Sequence, residues 1–183
     1  MSEIRTSRLW LRPWRGDDRD AFAALNADPA VMEYFPAVLS RAESDELADR
    51  IEAHFARHGF GLWAVEVSGS AAFVGFLGLS VPSFQAHFTP CVEISSRLRR
   101  DCWGRGYATE GARAALRFGF EELALDEIVA FTVPANLRSR RIIERIGMQH
   151  SLADDFDHPS LPAGHPLRRH VLYRLTRARW DTL

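Results

Sequence analysis

Leu9, Leu11 and Pro13 alternate with Trp10, Arg12 and Trp14, a period of two that predicts a first strand, at a sheet edge and ended by Gly16. Asp17 is placed to cap a short helix carrying Phe22, Ala23 and Leu25, which the Asn26-Ala27-Asp28-Pro29 cluster stops. A brief apolar segment, Val31, Met32, Tyr34 and Phe35, precedes Pro36. Ser40 followed by Glu43 is a capping-box pattern, and Leu47, Ile51, His54, Phe55 and His58 then repeat at helical spacing as far as Gly59. Leu62 to Val67 and Ala72 to Leu79 read as two antiparallel strands joined by the hairpin chemistry of Ser68-Gly69-Ser70.

Beyond a loop from Pro82 to Pro90, the stretch Cys91 to Ser96 resumes as a strand with two faces of different polarity. The turn Asp101-Cys102-Trp103-Gly104-Arg105-Gly106 leads into a helix that buries Ala108, Ala112, Ala115, Leu116 and Phe118. Ile128 to Val133 is a further strand. Pro134-Ala135-Asn136 introduces a helix through Ile142, Ile143 and Ile146, with Gly147 at its C-terminal end. Residues 153–169, rich in Asp, His and Pro, read as a long loop before a last strand, Val171 to Leu175. This order of elements predicts one α/β domain over residues 1–183, with a mixed sheet and helices on its faces.

Composition narrows the class. The chain has 183 residues, 46% of them hydrophobic, with 23 Lys plus Arg against 24 Asp plus Glu, which excludes disorder and fibres and offers no general field for nucleic acid. Cys91 and Cys102 can form no disulfide framework. The start Met1-Ser2-Glu3-Ile4-Arg5 lacks the apolar core of a signal peptide, and no run approaches the roughly 18 apolar residues of a membrane helix. The expectation is a cytoplasmic protein with no membrane partner.

The segment from Cys91 to Phe120 carries the chemistry. A strand passes through a glycine-bearing turn into a helix whose first turn has free N–H groups, an arrangement that binds anions. Gly104 and Gly106 let the backbone close on a diphosphate, and Arg99, Arg100 and Arg105 place positive charge at the rim. The turn is neither a P-loop, for want of the Lys-Ser/Thr pair, nor a dinucleotide fingerprint, for want of the third glycine. Taken as a short string, it is equally a strand-to-helix corner with no ligand.

Trp103-Gly104-Arg105-Gly106-Tyr107-Ala108-Thr109-Glu110, then Asn136-x-x-Ser139 and Ile146-Gly147-Met148, resembles the GNAT superfamily of acyl-CoA N-acyltransferases. Within it, the chain is similar to the ribosomal-protein N-terminal acetyltransferase (RimJ/RimL-like) branch, from Thr6-Ser7-Arg8-Leu9-x-Leu11-Arg12 to His170-Val171-Leu172-Tyr173. The resemblance implies a mixed, mostly antiparallel sheet splayed between the Val92 and Ile128 strands, with the pantetheine arm of acetyl-CoA in the splay. It implies that the backbone of Cys102, Trp103, Gly104, Arg105, Gly106, Tyr107 and Ala108 holds the pyrophosphate, with Arg99 beside it. By the same resemblance Ile94, Ser95 and Ser96 bond the pantetheine amides, Asn136 meets the arm from the other side, and one of Arg138, Arg141 and Arg145 reaches the ribose phosphate. Two positions depart from the family pattern. Asp101 replaces the Gln or Arg that usually opens the turn, so it is expected to point away, compensated by Arg99 or Arg100. Ile143 replaces the Tyr that protonates the departing thiolate, leaving Ser139 or a water as donor.

Direct attack by an amine on a thioester requires a neutral amine and a stabilised thiolate, and no metal or covalent enzyme intermediate. Glu93 is the leading candidate base, acting alone or through water. His158, His170, Asp154, Asp155 and Asp157 are weaker base or acceptor-binding candidates, and Trp63, Trp103 and Tyr34 are candidates to line the cleft. Asp157, His158, His165 and His170 match no usual ligand spacing, so no metal is expected. Cys91 and Cys102 read as packing residues. The resulting expectation is acetyl transfer from acetyl-CoA to a primary amine, with a protein N-terminal α-amine as the branch-implied acceptor. The alternatives are a small amine (amino acid, polyamine or antibiotic) as acceptor, or a non-catalytic acyl-CoA sensor. A homodimer is suggested by the resemblance alone.

Overall fold

Strands β1 (Ile4–Arg5) and β2 (Leu9–Arg12) open the chain, followed by helices α1 (Asp18–Ala27) and α2 (Arg41–His58) and strands β3 (Leu62–Val67), β4 (Phe73–Ser80) and β5 (Glu93–Leu98). Then come α3 (Tyr107–Arg117), β6 (Glu127–Thr132), α4 (Leu137–Arg145), β7 (Gln149–His150), β8 (Phe156–Asp157), β9 (Arg169–Thr176) and α5 (Arg177–Trp180). This computed structural model describes residues 2–70 and 72–183. The chain divides into two compact units: Met1–Ser80 with Ser95–Ala115, and Val81–Ile94 with Leu116–Leu183. The pairing is mixed and mostly antiparallel, as expected.

In the first unit the strand order is β1-β2-β3-β4-β5. The hairpin forms as read, with Leu62 opposite Gly78 and Trp63 opposite Leu77. The edge placement of the first strand is corrected: β2 lies between β3 and β1, whose Ile4 pairs with Leu11. A strand of two residues carries too little periodicity to be seen in sequence. The capping box is present, Ser40 Oγ accepting from the Glu43 N–H at 3.3 Å and Glu43 Oε2 from the Ser40 N–H at 2.8 Å. At the other end of α2, Gly59 takes a left-handed φ of 76°. The cap of α1 is corrected as well, since Asp17 makes no side-chain cap bond. The neighbouring Asp18 instead accepts from the Arg15 N–H at 2.8 Å and from both Nη atoms of Arg12 at 2.7 Å. Arg12 also donates through Nε to Glu66 at 2.9 Å, and all three side chains are buried. A β3–β4 register shift between Val65 and Glu66 accompanies this arrangement, as bulges re-aim side chains.

The second unit has the order β5-β6-β9-β7, with β8 on β9. Residues 127–132 of β6 run antiparallel to β9 from Glu127 opposite Thr176 to Thr132 opposite Val171. Parallel pairing between β5 and β6 is registered at Glu93 opposite Val129, supported by the Val129 N–H donating to the Val92 carbonyl at 2.9 Å. A core of Phe88, Val129, Phe156 and Leu172 packs with Phe84, Ala86, Cys91 and Phe131. The expected continuous loop over residues 153–169 is corrected at Phe156 and Asp157, which pair with His170 and Arg169. Phe156 is drawn into that core, which its lone position among polar residues did not announce.

One glycine in the first unit is fixed by close approach. A Cβ on Gly75, whose φ is 139°, would stand 2.1 Å from the Arg97 carbonyl oxygen, so no side chain fits between β4 and β5 there. Gly69 also has a positive φ, 85°, but open space around it. Gly75→Ala is expected to cost about 3 kcal/mol or more, lowering Tm by roughly 6–12 °C. Gly69→Ala should cost only the conformational strain, about 1 kcal/mol. Thermal unfolding of the two variants checks this, and equal losses would contradict the close approach.

Candidate active site

Within the first unit, β5 ends in a helical turn at Arg100–Cys102 and then the glycine-bearing turn that opens α3. Gly104 and Gly106 adopt φ of 73° and 82°, left-handed values that other residues reach only with strain. Among the described residues no acceptor takes the backbone N–H groups of Gly104, Arg105 or Gly106. Those of Tyr107 and Ala108 belong to the first helical turn, ahead of the helix's own ladder. Gly104, Arg105 and Gly106 are exposed. The turn therefore presents exposed backbone donors without acceptors among the described residues, together with the positive end of a helix.

The surrounding side chains make this shape rigid. Glu110, in the first turn of α3, accepts from Thr6 Oγ1 at 2.6 Å, Ser7 Oγ at 3.1 Å, the Arg8 N–H at 3.0 Å and Arg8 Nε at 2.6 Å. Burial alone would raise its pKa; the bonds from Thr6, Arg8 and Ser7 outweigh it and hold the carboxyl below the usual range. Arg8 Nη1 donates to the Arg105 carbonyl at 2.9 Å, and its guanidinium lies 5.0 Å from the Tyr107 ring centre. Trp103 Nε1 donates to the Leu98 carbonyl at 2.8 Å. Asp101 pairs with Arg99 at 2.6 Å, so the acid at the unusual position is compensated by one of the two arginines expected to do so. Cys102 is buried and Ala108 half-buried. In β5, Ser95 is half-buried and Ser96 exposed.

Within the second unit, Glu93 opens β5 beside buried Ile94. Its side chain is half-buried, and among the described residues it makes no hydrogen bond or ion pair. Burial with no compensating partner raises its carboxyl to about 8. Burial, then the charge of Glu93, raises Cys91 to about 11, so that thiol is neutral at physiological pH. Asn136 caps α4: its Oδ1 accepts from the Ser139 N–H at 3.1 Å and its Nδ2 donates to Thr132 Oγ1 at 3.2 Å. Ser139 is half-buried and Arg141 exposed.

The weaker candidates separate. Asp154 is held by Arg174 at 3.1 Å, Asp155 by His150 at 2.7 Å, and Asp157 by Arg168 and Arg169 at 3.5 Å. His158 and His170 come together, ring centres 5.2 Å apart, among Phe131 and Phe156, and burial lowers both pKa values. Trp63 is corrected from cleft to core: it is fully buried against Phe55, with Nε1 donating to the Ser2 carbonyl at 2.8 Å. Among the described residues no group of three or more His, Cys, Asp or Glu could hold a metal. No described helix is long and apolar enough to cross a membrane.

The acetyltransferase (GNAT) domain family matches residues 8–149. The chain belongs to the GNAT acetyltransferase family. It is similar to the uncharacterized protein YkkB of Bacillus subtilis, 33% identical over 153 residues that cover 82% of this chain and 87% of YkkB. It is also similar to the FsC-acetyl coenzyme A-N(2)-transacetylase of Aspergillus fumigatus, 31% identical over 188 residues, 97% of this chain and 77% of that protein. Among solved structures, the acetyltransferase of Agrobacterium tumefaciens is 25% identical and superposes with a TM-score of 0.77 over 96% of this chain and 94% of that one. As a GNAT protein the chain is an acyltransferase.

Glu110 and Arg8 are site-building residues that periodicity does not mark, since each acts across about a hundred positions of sequence. Glu110→Ala removes the acceptor of four hydrogen bonds and leaves Arg8 without its acid. We expect a loss of about 2–4 kcal/mol and faster amide hydrogen exchange confined to residues 104–110. Unchanged exchange across that turn would show that Glu110 does not set its shape.

Proposed function

We propose that this GNAT protein transfers the acetyl group of acetyl-CoA directly to a primary amine, first of all the α-amine at a peptide N terminus. The observation that carries this reading is Glu93: a half-buried carboxyl with no partner among the described residues, raised to about 8 at the start of β5. A structural carboxylate is ordinarily paired, and an unpaired one with a raised pKa in this position supports a candidate for proton transfer. An α-amine has a pKa of about 8, so amine and base are matched near neutrality.

Each part of the chain then has a chemical task. The N–H groups of the turn at residues 104–108 suit the two negative charges of a diphosphate, and the exposed Arg105 adds a cation at the rim. The edge of β5 at Ile94, Ser95 and Ser96 offers backbone groups to the amides of the pantetheine arm. With the thioester held there, the Glu93 carboxylate takes a proton from the attacking amine, directly or through water. The amine nitrogen bonds to the thioester carbonyl carbon, the C–S bond breaks, and the sulfur leaves with its electron pair. The Ser139 hydroxyl is the nearest replacement for the missing Tyr as hydrogen-bond donor to that thiolate, since Ile143 is apolar and buried. A thiol raised to about 11 argues against Cys91 as an acetyl carrier, in keeping with direct transfer.

Below its pKa the Glu93 carboxyl is protonated and unable to act as base, so activity rises with pH through about 8. The free amine loses its own proton in the same range, so below pH 7 log kcat/KM should climb with a slope of about two, one proton from each group. In Glu93→Gln the slope should fall to about one and kcat should drop about 10²–10⁴-fold. A slope of two retained in the variant would exclude Glu93 as the base. Folding gives a second readout. The unfolded carboxyl ionises near its ordinary 4.5 and the folded one near 8, so wild-type stability declines as pH rises between those values and is level above. Glu93→Gln removes that decline and should unfold at a higher temperature than wild type at pH 8.

A further inference from the structure

The second unit seats α4 on a tyrosine hydroxyl. Tyr173 lies on β9, opposite Ala130 of β6 and His150 of β7, and is buried. Its ring packs against His150, centres 5.2 Å apart, and His150 is held in turn by Asp155 at 2.7 Å. The hydroxyl accepts from Arg140 Nε at 3.0 Å and donates to Glu144 Oε1 at 2.9 Å. Burial is the largest cause raising its pKa, so the group keeps the proton that it donates. Arg140 reaches on through Nη1 to the carbonyl of Pro134 at 3.2 Å, at the corner where Asn136 starts α4.

Arg140 and Glu144 are four residues apart, on one stripe of α4. Ile143 is the buried residue of that helix, and Ile146, just past its end, is buried too. Two apolar anchors on a single line locate a short helix but set its roll loosely. A hydroxyl bonded on both sides, to residues one turn apart, fixes that roll. The Asn136 cap ties the helix start to Thr132 of β6, and the Tyr173 hydroxyl ties the following turn to β9. Ser139 directly precedes Arg140, about 100° around the helix axis. A roll of about 20° carries a group about 5 Å from the axis sideways by about 2 Å, and a misplacement of about 1 Å can cost about 10²-fold in rate.

We propose that Tyr173 is a positioning residue for acyl transfer: its hydroxyl, shared by Arg140 and Glu144, sets the roll of α4 and with it the place of the Ser139 hydroxyl. Tyr173 acts through the helix and not on the reacting atoms. The proposal deepens the acetyl-transfer reading and rests on it for the role of Ser139.

Tyr173→Phe keeps the ring and removes the bonded oxygen. In the folded variant the amides of Ser139 and Arg140 should exchange with solvent about tenfold faster, with those of residues 128–131 in β6 unchanged. With acetyl-CoA and a short peptide as substrates, kcat should fall about 10–100-fold while KM for acetyl-CoA stays within about twofold. Ser139→Ala should lower kcat as well, and Tyr173→Phe added to it should lower kcat no further, because the two act as one unit. A tyrosine with a merely structural role gives losses that multiply. Unchanged exchange at Ser139 and Arg140, an unchanged kcat, or a Tyr173→Phe loss that persists in the Ser139→Ala background overturns the proposal. Glu144 is exposed, so Glu144→Ala tests the same bond without disturbing the core. It should speed exchange at the same two amides and lower kcat, and no change in either overturns the proposal as well. Faster exchange in a protein that acetylates no amine upholds the seating of α4 and counts against the acetyl-transfer reading alone.

Discussion

A single carboxylate sets the start of α3. Glu110 gathers Thr6, Ser7 and Arg8 onto the first helical turn, and Arg8 passes the constraint on to the Arg105 carbonyl. The physical point is one of allocation. A negative side chain at a helix N-terminus is stabilised by the free N–H groups there and could fold back onto them. Here its oxygens are taken up by the N-terminal segment, and the N–H groups of Gly104, Arg105 and Gly106 stay open. The two glycines of this turn take left-handed conformations.

Several buried and half-buried charges of the fold are paired. Arg12 has two acids, Arg174 has Glu127 and Asp154, and Asp155 has His150. Among the described residues Glu93 and Arg97 of β5 make no ion pair, nor do half-buried Arg177 and Arg179, which donate to backbone carbonyls instead. Local rules that hold throughout a chain and fail at a few positions mark where function competes with stability.

Local structure was largely legible in the sequence. The Ser40 and Glu43 box, the hairpin at Ser68-Gly69-Ser70 and the Asn136 start of α4 are written in contiguous residues whose chemistry acts over three or four positions. Compensation of Asp101 by Arg99 or Arg100 was readable for the same reason, and Arg99 is the one that pairs with it. What escaped was long-range or very short. β1 and β8 have two residues each and no period to detect. Asp17 sits where a cap belongs, but the neighbouring Asp18 is claimed by Arg12, six residues earlier, across the connection from β2 to α1. Trp63 is a candidate for the cleft in sequence, although aromatic residues at such positions are more often core, and core is where it lies. The candidacy of Glu93 as base came from its place on the strand, whereas the lack of a partner for its carboxyl depends on neighbours scattered along the chain.

The central claim is direct transfer of acetyl from acetyl-CoA to an amine by this GNAT domain. Its most direct measurement is release of free CoA thiol by the purified protein, with short peptides of differing first residue beside a panel of free small amines, followed by product mass. The account predicts amine-dependent thiol release matched one for one by an added acetyl mass on the peptide α-amine. Thiol release without an acetylated product, or none with any amine while CoA still binds, would contradict it.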